Sequence, residues 1–232
     1  MTFVSEAQPA KLAEVAPAQL PVVFPNCHSP SGFSTRMKFV IEWLIALFAV
    51  ILFLPMLLLI AVLVRLESKG PALFVQPRYG RGGKPFPAFK FRSMRIETCD
   101  PAGGVQTRRH DSRVTQIGRV LRQTSLDELP QLFNVLRGEM ALVGPRAHPV
   151  GMRIDGRLCE QVDPRYHDRH VVRPGITGWA QVSGSRGPVD TVEQLKVRLD
   201  LDAEYLARWS IGRDLLILAR TVAVCLSGDK AY

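Results

Sequence analysis

The sequence predicts an α+β fold, mostly helical with short strands, anchored by one proline-interrupted membrane helix and by interfacial amphipathic helices. Three observations predict it. Trp43 to Val64 runs 22 residues without a charged side chain. Residues 114–137 and 190–226 carry apolar residues at helical spacing. Between these segments lie short aromatic-rich pieces bounded by glycine and proline.

Residues 1–35 are rich in Pro, Ala and Ser without periodicity, which predicts a disordered tail. Glu6, Glu14 and several early prolines argue against a secretory signal. The apolar segment of residues 39–64 suffices for one bilayer span at about 1.5 Å rise per residue. Pro55 near its centre removes a helix hydrogen bond. Arg36 and Lys38 precede the segment and Arg65 and Lys69 follow it, so charge sets no orientation. A helix that enters, breaks at Pro55 and leaves on the same side fits both facts. A kinked transmembrane helix fits them too, and the residues alone leave the two open. The expected organisation is a tail over 1–35, a membrane helix over 36–69 and one domain over 70–232.

Residues 70–95 read as loop and short strands around Phe74-Val75 and Phe86 to Phe91, and residues 97–113 as a polar loop. Residues 114–137 read as two helical pieces, Val114 to Gln123 and Leu126 to Leu136. Residues 138–190 are irregular, with turn signals at Gly144-Pro145, Pro174-Gly175 and Gly187-Pro188. Residues 190–226 are helical again. Leu195, Leu199, Tyr205, Leu206 and Trp209 form an amphipathic stripe, and Leu215 to Leu226 is mostly apolar.

The formal net charge of +9 favours anionic partners: nucleic acid, phospholipid head groups or phosphorylated substrates. Cys27, Cys99, Cys159 and Cys225 are widely spaced, which argues against a metal knuckle or disulfide framework and for a reducing compartment. His167 and His170 lack a matching carboxylate pattern, and no Walker, G-x-G-x-x-G or H-E-x-x-H motif occurs.

Asp127-Glu128 is the first candidate for chemistry. Adjacent acids can act as nucleophile and base, or hold a divalent cation. The competing reading is structural: Ser125-x-x-Glu128 matches a capping box, and Asp127 could itself cap a helix with Pro130 in its first turn. The second candidate is a series of basic residues, Lys90, Arg92, Arg95, Arg119, Arg122, Arg137, Arg146 and Arg173. Arginines can grip phosphates bidentately, and a strand would put Lys90 and Arg92 on one face. Most of the 30 Lys and Arg residues read instead as a solvated surface facing anionic lipid. Val143-Gly144-Pro145-Arg146 is a tight turn that could present Arg146 inward. Arg173 to Val182 reads as a glycine-containing loop entering a strand. Its Trp179 could sit at a lipid interface or be buried.

Five segments together resemble the bacterial sugar transferases, the monotopic phosphoglycosyl transferases that prime exopolysaccharide and O-antigen synthesis. In order they are the membrane helix with its central proline, Lys90 to Met94, Ser125 to Val135, Val143 to Arg146, and Pro174 to Val182. The resemblance runs from about Arg36 to the C-terminus. It implies a re-entrant helix at the cytoplasmic face of the bacterial inner membrane. It further implies that Asp127 attacks the β-phosphate of a UDP-sugar, releasing UMP, and that undecaprenyl phosphate then takes the sugar phosphate. Glu128 would be the neighbouring acid, a base or metal-site partner. A Mg²⁺ ion would bridge Asp127, Glu128 and the diphosphate. Lys90, Arg92, Arg122 and Arg146 match positions that hold phosphates or nucleotide. The partners implied are a UDP-sugar, undecaprenyl phosphate and an anionic phospholipid membrane, not nucleic acid; a homodimer is left open.

The sequence departs from the family pattern at Leu54, where many members have Ser, and at Ala147-His148-Pro149, where many continue Gly-Pro-Arg with Pro. Larger relatives carry additional N-terminal transmembrane helices. Similarity to hexose-priming members favours UDP-glucose or UDP-galactose as donor, with an N-acetylated sugar open. The alternative is an inactive, membrane-anchored scaffold, which would be expected to lose the acids or arginines. A membrane-tethered nucleic-acid binder would need a reading motif that is absent.

Overall fold

The computed structural model describes residues 32–95 and 111–226. Most of the expected N-terminal tail and of the loop over 97–113 lie outside these residues, as do Cys27 and Cys99.

The chain opens with α1 (Gly32–Glu67), a single helix that contains Pro55. The residues on both sides of Pro55 stay helical. Its apolar stretch is long enough to cross a membrane, and only 17% of its most apolar window is buried. Exposure along the helix is uneven. Residues 51–55 are exposed on every side. The arm before them buries Glu42 and Ala46, and the arm after them buries Leu57, Ile60 and Val64. Both arms therefore pack on the rest of the protein, while the turn before and at Pro55 is exposed, with Phe53 at the rim of a cavity.

The second arm docks on Phe91 and Leu121. Its end is held by Arg92, which donates to the carbonyls of Val64 (3.1 Å), Ser68 (2.6 Å) and Lys69 (2.6 Å). The carbonyls at a helix C-terminus lack intrahelical donors, and a guanidinium satisfies them. Glu67 in turn accepts from the Ile117 amide at 3.0 Å, placing a carboxylate at the start of α2 (Gln116–Thr124). The first arm is tied down by Lys38, whose ammonium reaches Glu42 (2.8 Å), Asp214 (2.5 Å) and the Val143 carbonyl (2.9 Å).

Strands β1 (Leu73–Tyr79) and β2 (Pro85–Phe91) form an antiparallel hairpin, with Phe74 opposite Lys90 and Arg78 opposite Phe86. α3 (Gln131–Leu136) leads to β3 (Ala141–Val143). A small hairpin follows, β4 (Arg153–Ile154) with β5 (Arg157–Leu158), then the short α4 (Cys159–Val162) and a 3-10 stretch over Pro164–Val171. β6 (Gly175–Thr177) pairs parallel with β3, and α5 (Trp179–Val182), α6 (Val192–Ala207) and α7 (Ile211–Leu226) close the chain. The fold is thus mixed, with long helices and three two-stranded sheets among the described residues. The main core joins Phe86 and Ala88 of β2, Leu132 and Val135 of α3, β3, and Tyr205, Leu206 and Ile217 of the last two helices.

Two regions expected to be loops interlock. A Cβ on Gly144 would lie 2.6 Å from the Arg173 carbonyl, and one on Gly178 would lie 2.2 Å from the Gly144 carbonyl. Only glycine allows backbones to approach so closely. The half-buried Trp179 donates its indole N–H to Glu204 at 2.9 Å, and its ring faces the guanidiniums of Arg213 and Arg220. On α7, the apolar side chains of Leu215, Leu216 and Val222 are exposed.

Candidate active site

α2 ends at Thr124, whose hydroxyl donates back to the Val120 carbonyl at 2.8 Å. Ser125 then adopts a left-handed backbone (φ 59°), and the chain turns into a 3-10 segment, Leu126–Glu128. The capping box expected at Ser125 and Glu128 is not formed; Ser125 Oγ instead accepts from Arg186 at 2.6 Å. Nor does Asp127 cap α3, which starts after Pro130 without a side-chain cap. With the local structural role removed, both acids are available to the interior of the protein.

Glu128 is fully engaged. Lys90 donates to Oε1 at 2.5 Å, and Arg146 donates to both oxygens, at 2.9 Å on Oε2. Asp127 is different: it is 7% exposed, and no hydrogen bond reaches its carboxylate among the described residues. The two acids are driven apart electrostatically. Burial pushes the Asp127 carboxyl above its ordinary value, Glu128 adds to this, and Lys90, Arg122 and Arg146 oppose it. Burial also acts upward on Glu128, but Arg146 and Lys90 together outweigh it and hold that carboxyl well below the usual range. Burial pushes Lys90 down to about 8, against the pull of Glu128 and with help from Arg78 and Arg146.

These side chains line a cavity of about 670 Å³, within the range of ligand pockets. Arg122 lies on its wall, and so do Arg78, Arg113 and Arg186. Phe53 of α1 and Leu218 and Val222 of α7 add apolar side chains to its wall. Arg92 borders the cavity, but its guanidinium is committed to α1. Lys90 and Arg92 both border this cavity. β2 stops at Phe91, and the two side chains serve different partners, Glu128 and the carbonyls of α1. Arg146 reaches the site because the Gly144-Pro145 turn is pinned to β6, with Gly175 N–H donating to the Pro145 carbonyl at 3.0 Å.

Arg78 and Arg186 were not singled out from the sequence. Arg186 had a usable signal, a lone arginine within Gly184-Ser185-Arg186-Gly187-Pro188, a turn-rich setting where charged residues tend to be functional.

The family model described as bacterial sugar transferase matches residues 33–228. The chain belongs to the bacterial sugar transferase family. Among its relatives, the exopolysaccharide production protein PSS of Rhizobium leguminosarum bv. phaseoli is 46% identical over 187 residues, 81% of this chain and 94% of that protein. A UDP-glucose:undecaprenyl-phosphate glucose-1-phosphate transferase of Caulobacter vibrioides is 47% identical over 84% of this chain and 72% of its own length. The Escherichia coli K12 protein of the same name is 44% identical over 87% of this chain, which spans 43% of it. Within this sugar transferase, then, the matched region includes the whole constellation of Lys90, Asp127, Glu128 and Arg146.

The donor set can be tested for a divalent cation. Among the described residues no group of three or more His, Cys, Asp or Glu side chains is placed to hold one. Asp127 offers an uncommitted carboxylate, whereas both oxygens of Glu128 are already taken. Such a set fits Mg²⁺ that arrives with a phosphorylated substrate and keeps waters, since Mg²⁺ is commonly bound by one or two carboxylates plus phosphates. It does not fit chelation by Asp127 and Glu128 together unless Arg146 or Lys90 lets go.

Proposed function

We propose that this sugar transferase moves hexose-1-phosphate from a UDP-sugar to undecaprenyl phosphate, as the first membrane step of exopolysaccharide synthesis. The reading rests on one observation above all. A buried carboxylate with no hydrogen-bond donor among the described residues, Asp127, sits beside one that is fully engaged, Glu128, in a cavity walled by cations. An unpaired, desolvated carboxylate is a costly arrangement for stability and a suitable one for a nucleophile. The relatives named as UDP-glucose transferases favour UDP-glucose as donor.

An Asp127 oxygen attacks the β-phosphorus of the donor. The bond from that phosphorus to the bridging oxygen breaks, and UMP leaves with the bond's electron pair. A phosphate oxygen of undecaprenyl phosphate then attacks the same phosphorus, freeing Asp127 and forming undecaprenyl-diphosphate-sugar. Lys90 and Arg146 stand where charge develops on the phosphoryl oxygens, and Glu128 orients both cations. Mg²⁺, when bound, supplies further neutralisation of the diphosphate. The apolar wall from Phe53 to Val222 suits an isoprenoid acceptor. We further propose that α1 is re-entrant, with its apex at residues 51–55 in the cytoplasmic leaflet. Support comes from both arms packing on one domain and from basic residues at both ends.

The test is UMP release from a panel of UDP-sugars with undecaprenyl phosphate and Mg²⁺, comparing wild type with Asp127→Asn. Release for one donor, lost in the variant, is expected; release that survives would remove Asp127 as nucleophile. For topology, cysteines introduced at Arg36 and Lys69 should both be labelled from the cytoplasmic side only; labelling from opposite sides would rule out the re-entrant helix.

A further inference from the structure

Behind the cavity lies a buried polar network that the transfer reaction does not use. Arg169, in the 3-10 stretch, is 3% exposed, and Asp202 on α6 is 2% exposed. Their side chains form an ion pair at 3.0 Å. Asp202 occupies the inward face of α6 with Leu195, Leu199 and Leu206, where the amphipathic pattern calls for an apolar residue. A buried ion pair seldom stabilises a fold more than apolar packing would, so its presence here asks for another reason.

The contacts of Arg169 supply one. Its Nη2 donates to the backbone carbonyl of Arg146 at 2.5 Å, and its Nη1 lies 2.8 Å from His148 Nε2. The next carbonyl, that of Ala147, accepts from Arg78 at 2.7 Å, and the carbonyl of His148 accepts from the Tyr79 amide at 3.0 Å. Three consecutive carbonyls after the Gly144-Pro145 turn are thus individually held. The Arg146 guanidinium points the other way, onto Glu128.

We propose that Arg169 and Asp202 form a positioning pair that fixes the Arg146 backbone, so that the Arg146 guanidinium holds Glu128 in place beside Asp127. The pair touches neither acid; it acts through Arg146. The Asp202 carboxylate lies 3.0 Å from Arg169 Nη2, the same nitrogen that donates to the Arg146 carbonyl, so its charge holds that arm at the carbonyl while Nη1 rests against His148. A lysine at position 169 could pair with Asp202 but could not reproduce the planar fork. The groups facing this fork are Asp202 and Arg198 on α6, His148 on the loop after Arg146, and Tyr166 and His170 on its own segment. Burial drives both histidines toward the neutral form, aided by neighbouring guanidiniums, so neither adds a cation at neutral pH; Arg198 is the second cation that acts on Asp202 beside Arg169. For its effect on turnover the proposal rests on the transferase reading above; for geometry it does not.

The experiment uses the full-length protein in lipid nanodiscs and two readouts. The first is the titration of the Glu128 carboxyl by ¹³C NMR, identified by its loss in Glu128→Gln. The second is the pH profile of UMP release. Arg169→Lys and Asp202→Asn are each expected to raise the Glu128 titration midpoint toward the ordinary carboxylate value. Each should also lower turnover by about tenfold to a hundredfold, the scale of a small misplacement of a catalytic group. Combining Arg169→Lys with Arg146→Lys should cost little beyond Arg146→Lys alone. A Glu128 titration unchanged in a folded Arg169→Lys protein would overturn the proposal. So would losses that simply multiply in the double variant, or a lowered melting temperature with wild-type titration and turnover. Should wild type release no UMP from any donor, the transferase reading fails while the Glu128 titration still decides the positioning claim.

Discussion

Arg146 forks onto both carboxylate oxygens of Glu128, leaving Asp127 as the acid that carries no hydrogen bond among the described residues. Two neighbouring acids thereby acquire opposite characters from their surroundings, the pattern by which paired carboxylates divide labour.

This division makes opposite predictions for two variants. Asp127 must be ionised to attack, so kcat/KM should fall on the acid side as pH drops through its raised pKa. Glu128⁻ raises the Asp127 pKa and Arg146 lowers it. Glu128→Gln should therefore move the acid limb to lower pH, and Arg146→Met should move it higher. Each should also reduce kcat by about a hundredfold to a thousandfold, the usual effect of losing one charge-stabilising group. Profiles of UMP release measured across the acid range check both directions; shifts of the same sign would refute the division of roles.

Lys90 predicts the alkaline limb. It titrates at about 8 because burial disfavours its charge. Above that pH it loses its proton, and with it the ion pair to Glu128. Activity should decline through pH 8 in wild type. Lys90→Arg keeps its charge throughout, so the alkaline decline should disappear whatever the change in the plateau. A profile that still declines near pH 8 in this variant would assign the limb to another group.

Much of this arrangement was legible in the sequence, and the parts that were not have physical causes. The long apolar helix was plain because no charge interrupts Trp43 to Val64. Asp127-Glu128 stood out as adjacent acids, but Ser125 matched a capping box equally well. Only the left-handed turn at Ser125 and the ion pairs to Glu128 decide against the cap. The joining of Gly144 to Gly175 and Gly178 was invisible because parallel pairing brings together residues about thirty positions apart, with no local pattern to mark it. Arg198 and Asp202 were hidden inside an apolar stripe. Their charge at inward positions was the available clue.

Lys38 read as a flanking positive charge of the membrane segment, yet the structure makes it a structural anchor. It pairs with Glu42 and Asp214 and reaches the Val143 carbonyl, joining α1, α7 and β3 at one point. Lys38→Met should leave two buried carboxylates without their cation and cost about 3–5 kcal/mol, as for other broken buried pairs. Thermal unfolding in detergent measures the loss. Asp214→Asn combined with Lys38→Met should recover part of it, since one of the stranded charges is then gone.

Arg92 gives the sharpest contrast with the phosphate-binding role that resemblance assigns to it. Its guanidinium makes three hydrogen bonds to carbonyls at the end of α1. Its position is nevertheless on the border of the cavity that holds Lys90 and Arg146. If the contacts to α1 are its work, Arg92→Met should lower stability by about 2–4 kcal/mol, the scale of one or two charge-assisted hydrogen bonds. The KM for the UDP-sugar should stay within about twofold, because groups that bind no substrate leave uniform binding unchanged. Arg122→Met should do the reverse, raising KM while leaving the melting temperature near wild type. Measuring both variants by thermal unfolding and by UMP-release kinetics separates the roles: a tenfold rise in KM for Arg92→Met with an unaltered melt would return Arg92 to the phosphate site.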